Sequence, residues 1–188
     1  MSVLILGLDP GFANVGWALV ELNGGVSGTA TETLVGMGLI ETEKSAAKQN
    51  VLASNDNYRR AREISRAIRL LTPRAQVICA ESMSFPRNAS AAAKVAMTWG
   101  VVADYCEAES ITMLMASPKE LKRAVCSDAS ASKTQIQEAL RVRFGVRPGE
   151  LLKSAGVPPS SQEHPYDALA AIVACLHSET LSLLRRAS

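Results

Sequence analysis

The chain has 188 residues, 47% of them hydrophobic and 20% charged, which fits one α/β domain spanning residues 1–188 and excludes a disordered chain. The longest apolar stretch, Val95 to Ala103, is far too short for a membrane span, and Met1 to Leu6 carries neither a basic segment nor a cleavage site, so a cytoplasmic protein is expected. The net charge of +2 announces no partner, but its distribution is uneven: residues 1–57 carry two Lys against six acids, residues 58–74 six Arg and one Glu, and residues 119–147 seven basic and three acidic groups. Two basic blocks after an acidic third leave room for a phosphate-binding surface beside the alternative of solvated helix faces.

Val3 to Leu8 is a continuous apolar run ending in Asp9-Pro10-Gly11, the pattern of a buried strand entering a turn. Val15 to Leu22, closed by Asn23-Gly24-Gly25, and Leu34 to Thr42 complete an antiparallel three-stranded meander. Ser45 to Asn57 reads as a loop. From Asn57 to Leu71 the spacing of Ala61, Ile64, Ala67, Ile68 and Leu71 predicts a helix with arginines on its other face. Gln76 to Glu81 is a short buried strand, Ser90 to Glu107 an alanine-rich helix and Ile111 to Ala116 a fifth strand. Ser117-Pro118-Lys119-Glu120 opens a helix with an N-cap Ser and Pro at the first position. A further helix is expected over Lys133 to Phe144, a Gly/Pro/Ser-rich loop from Gly145 to Gln162 and a last helix from Pro165 to about Arg185. Strands followed by alternating strands and helices indicate a mixed sheet flanked by helices. Cys79, Cys106, Cys126 and Cys175 are scattered without C-x-x-C pairing and read as reduced structural thiols.

Carboxylates at the ends of buried strands require a compensating partner, because desolvating a charge is costly. Asp9 closes the most hydrophobic strand and Glu81 another; Asp167 lies in the first turn of an apolar helix with His164 three residues earlier on the same face. Each alone has a plain structural reading: a turn for Asp9, an edge residue for Glu81, a dipole partner for Asp167, a cap for His164. Together they suit one or two hard divalent cations, with substrate phosphate completing the coordination, and such chemistry needs no protein nucleophile.

These segments resemble the RuvC family of Holliday-junction resolvases. Gly7-Leu8-Asp9-Pro10-Gly11 with Gly16 is similar to the family's G-[IL]-D-P-G-x4-G opening. Ala80-Glu81 followed by Asn88-Ala89, Lys94 and Gly100 resembles its second motif, and His164-Pro165-Tyr166-Asp167-Ala168-Leu169-Ala170 its closing [DH]-x-x-D-A-L-A. Leu121 to Val125 and Ser132 to Gln137 look like its two lysine-bearing segments. The resemblance implies an RNase H-like fold with a five-stranded mixed sheet, and a homodimer that nicks four-way junctions symmetrically. It also implies Asp9, Glu81, His164 and Asp167 as ligands of Mg²⁺ or Mn²⁺, two ions per site, with Lys122 beside the scissile phosphate and Lys133 there or on the DNA backbone. Arg87, Lys94 and Lys119 are further DNA-contact candidates, since phosphate contacts need only charge and reach. The sequence identifies no helicase partner.

Two departures stand out. Where the family places an aromatic wedge three residues after the Glu, this chain has Ser84, with Phe85 one position later as the candidate for that DNA-contacting role, although a one-residue slip in a strand reverses its direction. The Asp9-to-Glu81 interval and the stretch before His164 are also longer than in common bacterial members, the mark of a divergent branch of phage or organellar type. Three other readings compete: a RuvC-like nuclease for other branched DNA or RNA–DNA hybrids, a catalytically inactive junction-binding module, and an actin-like ATPase built on Asp9, Gly11 and Gly16. The last requires a second nucleotide-binding half that 188 residues do not hold, and the acidic set is superfluous to binding alone.

Overall fold

The computed structural model describes residues 2–23, 31–71, 75–83 and 87–187, with side chains described as far as Leu184. Gly24 and Gly25 of the expected hairpin turn, Arg74, Ser84 and Phe85 lie outside the described residues.

The first three strands, β1 (Ser2–Pro10), β2 (Asn14–Asn23) and β3 (Thr31–Glu41), form the expected antiparallel meander, and β4 (Val77–Glu81) and β5 (Thr112–Ala116) extend it in parallel, giving the order β3-β2-β1-β4-β5. A bulge between Leu19 and Val20 skips Val35 on the β3 edge. The central strand β1 is buried on both faces, which is why it reads as an unbroken apolar run instead of an alternating one.

Its alternate side chains divide the protein into two cores. Leu6 and Leu8, with Val15, Ile78 and Ala80, pack against α1 (Ala53–Leu71) and α2 (Ala89–Ala108). Val3 and Ile5, with Ala18, Val20, Val77 and Cys79, pack against α6 (Glu163–Cys175). Outside α6 lie α3 (Pro118–Cys126) and α4 (Lys133–Phe144), α5 (Arg147–Ser154) packs on β3 beside α4, and α7 (Glu179–Ala187) follows α6. Helix α6 is buried on nearly every side, from Pro165 and Tyr166 to Val173 and Cys175, as its uniformly apolar sequence requires.

Three stretches differ from expectation, the first being the loop expected over Ser45 to Asn57, which holds a 3-10 turn at Ala47–Gln49 and the start of α1 at Ala53. The region 145–162 contains α5 instead of a continuous loop. Pro148 stands in its first turn, where a missing N–H costs nothing, while Gly145 (φ 64°) and Gly156 (φ 68°) bracket the helix in left-handed backbone, and Leu152 is fully buried. The expected last helix is two, separated at Leu176–Ser178, where Ser178 Oγ accepts a hydrogen bond from the Leu181 N–H and so starts α7. The starts of α3 and α4 are closed by capping boxes, Ser117 with Glu120 and Ser132 with Gln135.

The basic block on α1 is largely spent within the fold. Arg59 pairs with Asp56 and Glu63, and Arg69 with Asp104 and Glu109. Arg60 does not share the outer face with the other arginines: only 3% exposed, it lies over the Phe12 ring (4.5 Å to the centroid) and donates from Nε to Thr42 Oγ1 and from Nη2 to the Thr42 carbonyl, both at 3.0 Å. The Thr42 hydroxyl donates in turn to the Phe12 carbonyl at 2.7 Å. The guanidinium therefore ties the turn that follows Asp9 to the end of β3. A lysine ammonium cannot reproduce this fork, so Arg60→Lys leaves a buried charge short of acceptors and is expected to cost about 2–3 kcal/mol. Urea unfolding reads this as a lowered midpoint at constant slope, and an unchanged midpoint rejects the clamp.

Candidate active site

Register brings the first two carboxylates together. Leu8 pairs with Ala80 across the parallel β1–β4 ladder, so Asp9 and Glu81 are the next residues along, at the C-terminal ends of adjacent strands. Both follow the alternation of Ile5, Gly7, Val77 and Cys79, and so face α6.

Helix α6 brings the other two residues, and glycines set how closely it lies. A Cβ on Gly7 would stand 2.2 Å from the Ala168 carbonyl oxygen, and one on Gly16, the antiparallel partner of Asp9, 2.1 Å from that of His164. With no side chain at either position, the first turn of α6 rests on the sheet, and His164 Nδ1 comes within 2.7 Å of Asp9 Oδ2. The pair is half-buried. Asp167 lies one turn further along, its side chain 19% exposed. The α6 start is braced by Arg141, whose Nε donates to the Tyr166 hydroxyl at 3.0 Å and whose guanidinium stacks on that ring.

The electrostatics identify one cluster. Burial, then the charge of Asp9, pushes the Asp167 carboxyl up to about 6, with Lys133 opposing and Glu81 and Glu163 adding to the shift. Burial, then Asp9, also raises Glu81, against the opposing charges of Lys133 and Lys122. The hydrogen bond to Asp9 raises His164 despite its burial. Glu81 and Asp167 thus resist ionising beside Asp9, with Lys133 and Lys122 opposing the effect.

The sequence candidates divide accordingly. Asp9, Glu81, His164, Asp167, Lys122 and Lys133 converge; Lys133, at the start of α4, bonds to Glu163 at 2.7 Å and lies 3.7 Å from Asp167. Lys119 is exposed at the start of α3 and Arg87 just before α2. Lys94 lines a separate hollow of about 360 Å³ with Lys44, Asn50 and Asn57. Sequence reading missed Glu163, and also the apolar wall of the site: Met83, Val95 and Trp99 line a hollow of about 140 Å³ with Asp9 and Glu81. Helical spacing could have suggested the wall, since Val95 and Trp99 are four residues apart on one face of α2.

Among the described residues, no three His, Cys, Asp or Glu side chains already stand close enough to hold an ion. The donor set nevertheless fits a hard divalent cation: oxygen donors on rigid strand ends and a helix start, one imidazole, and a negative charge that raises the proton affinity of its own members.

A meander extended by two parallel strands, crossed by a buried helix, with carboxylates at the C-terminal ends of its central strands, is the RNase H-like fold. Residues 5–148 match the family model of the crossover junction endodeoxyribonuclease RuvC. RuvC proteins of Chloroflexus aggregans and Nitratidesulfovibrio vulgaris (strain DP4) are 30% and 28% identical, over 96% and 97% of this chain and 96% of each relative. The Thermus thermophilus RuvC structure superposes with a TM-score of 0.66 at 20% identity, covering 96% of this chain and 97% of that one, and shows the same fold. So does T. thermophilus RuvC in complex with a Holliday junction substrate, with the same TM-score and identity over 92% of each chain. The chain belongs to the RuvC family of crossover junction endodeoxyribonucleases. Divalent-metal dependence goes with this nuclease family in general. No helix among the described residues is long and apolar enough to cross a membrane.

Proposed function

We propose that this chain, acting as one RNase H-like domain in a cytoplasmic homodimer, resolves four-way DNA junctions by paired symmetric nicks. The observation that carries this reading is the convergence of Asp9, Glu81, His164 and Asp167 with Lys122 and Lys133 at one end of the sheet.

Asp9, Glu81, His164 and Asp167 would hold Mg²⁺ or Mn²⁺, two ions per site, which when bound supply a Lewis acid and lower the pKa of the attacking water. The chain's own residues do the rest. The strand ends and the first turn of α6 fix the donors in place. Lys122 and Lys133 stand at the rim, where an ammonium stabilises charge developing on the phosphate. Met83, Val95 and Trp99 give the site an apolar wall that limits bulk water. Lys94, Lys119 and Arg87 would take flanking phosphates. Hydrolysis then leaves 5′-phosphate and 3′-hydroxyl ends.

The test is a labelled synthetic four-way junction beside a matched linear duplex, with Mg²⁺, with Mn²⁺ and with chelator. Metal-dependent paired nicks confined to the junction are expected. Cleavage of both substrates would indicate a broader nuclease, and cleavage of neither a binding module.

A further inference from the structure

Glu163 has no place in the ligand set, yet it makes one of the shortest ion pairs in the site. Its Oε2 lies 2.7 Å from Lys133 Nζ, whereas the nearest Asp167 oxygen is 3.7 Å from the same ammonium. Lys133 is the first residue of α4, where the helix dipole disfavours a cation, so its position needs an acid nearby. Glu163 is the first residue of α6, where the dipole favours an anion. The two helix starts meet through this pair, immediately beside His164 and Asp167. Both side chains are substantially exposed, 61% for Lys133 and 40% for Glu163, so the contact adds little to stability and its consequence is geometric.

We infer that Glu163 is a positioning residue that holds Lys133 at the rim of the acidic cluster and keeps its ammonium off Asp167. This rests on the reading of that cluster as the hydrolytic centre. An ammonium carries three donors on a flexible stem and takes the nearest free carboxylate. With the Glu163 acceptor neutralised, that carboxylate is Asp167. Lys133 then competes with the divalent cation for the same oxygens and leaves the rim, where the scissile phosphate is to arrive.

The test uses Mn²⁺ binding to the DNA-free protein, followed by electron paramagnetic resonance of the free ion, for wild type, Glu163→Gln, Lys133→Ala and the double variant. Glu163→Gln is expected to weaken Mn²⁺ binding by about three- to tenfold, the scale of one added ion-pair competitor. Lys133→Ala should bind Mn²⁺ at least as tightly as wild type, and the double variant should match Lys133→Ala, because the competitor is gone. At saturating Mn²⁺, Glu163→Gln should lower the single-turnover nicking rate with the junction Kd unchanged. Wild-type Mn²⁺ affinity in Glu163→Gln overturns the inference. So does an equal loss from Glu163→Gln in the Lys133→Ala background, which would mean that Glu163 acts on the cation directly. Asp167→Asn separates the two levels: if it binds Mn²⁺ and nicks as wild type does, the hydrolytic-centre reading itself fails. If it loses both while Glu163→Gln keeps wild-type affinity, only the role of Glu163 is rejected.

Discussion

Replacing Asp167 with Asn is expected to abolish junction nicking, by about a thousandfold or more, while stabilising the metal-free protein. The two effects share one cause. Asp167 is mostly buried beside Asp9, Glu81 and Glu163, and its carboxyl is pushed up to about 6. In the unfolded chain an Asp titrates near its ordinary value of about 3.9. Between these values the folded state binds a proton that the unfolded state does not. The resulting stability is fully present below the unfolded value and lost as pH rises through about 6. Metal-free wild type should therefore lose about 2–3 kcal/mol of stability between pH 4 and pH 7 through this group, a loss the Asn variant escapes. Glu81 and His164 are raised too, and their contributions fall in the same direction with pH, so the difference between variant and wild type reads Asp167 together with its coupling to these two neighbours. Urea unfolding in chelator at pH 4.5 and 7.5, paired with a junction-binding and nicking assay, checks both halves. Retained nicking rejects Asp167 as a ligand. Equal pH slopes for the two proteins reject the electrostatic account. Asp9→Asn should abolish nicking similarly, with junction binding kept.

The sequence carried the strands and the carboxylates further than it carried their assembly. Apolar runs ending in Asp9 and Glu81 exposed two strands and their polar ends, because a charge set directly after a buried run must meet water, a cation or a polar partner there. That the two ends are neighbours is a property of the β1–β4 register, and here the family resemblance supplied what local pattern could not. The His164–Asp9 contact spans 155 positions and depends on α6 lying close to the sheet, which no local periodicity encodes. Helix α5 was hidden by Gly145, Pro148, Gly149 and Gly156, read as breakers when most of them mark helix ends. Arg60 fits an arginine-rich exposed face by composition; only the Thr42 and Phe12 carbonyls, brought in from β3 and the β1–β2 turn, make it a core residue. Glu163 precedes the helix expected from Pro165 and drew no reading from the sequence. Its significance comes from Lys133, thirty positions away.

The glycine pair beneath α6 yields the second large effect. Gly16→Ala places a methyl carbon 2.1 Å from the His164 carbonyl oxygen and 2.7 Å from the Pro165 nitrogen, both backbone atoms that no rotamer change can move. Alanine restricts the unfolded chain and would by itself stabilise by about 0.4–1 kcal/mol. Overpacking against backbone costs about 3 kcal/mol, so the clash wins and the variant is destabilised. Relief requires the first turn of α6 to lift from the sheet by about 1 Å or more, since real carbon–oxygen contacts of this kind stay above about 3 Å. That movement draws His164 from Asp9 and Asp167 from Glu81. A displacement of that size costs about a hundredfold in rate even when every functional group is present. Gly16→Ala should therefore nick about a hundredfold more slowly with junction binding largely retained, and melt at a lower temperature. Gly100→Ala is the control of opposite sign. Gly100 is exposed within α2, nothing stands within 4 Å of its added Cβ, and alanine there should stabilise by about 0.5–1 kcal/mol with nicking unaltered. If Gly16→Ala behaves like Gly100→Ala, the close seating of α6 does not set the geometry of the site.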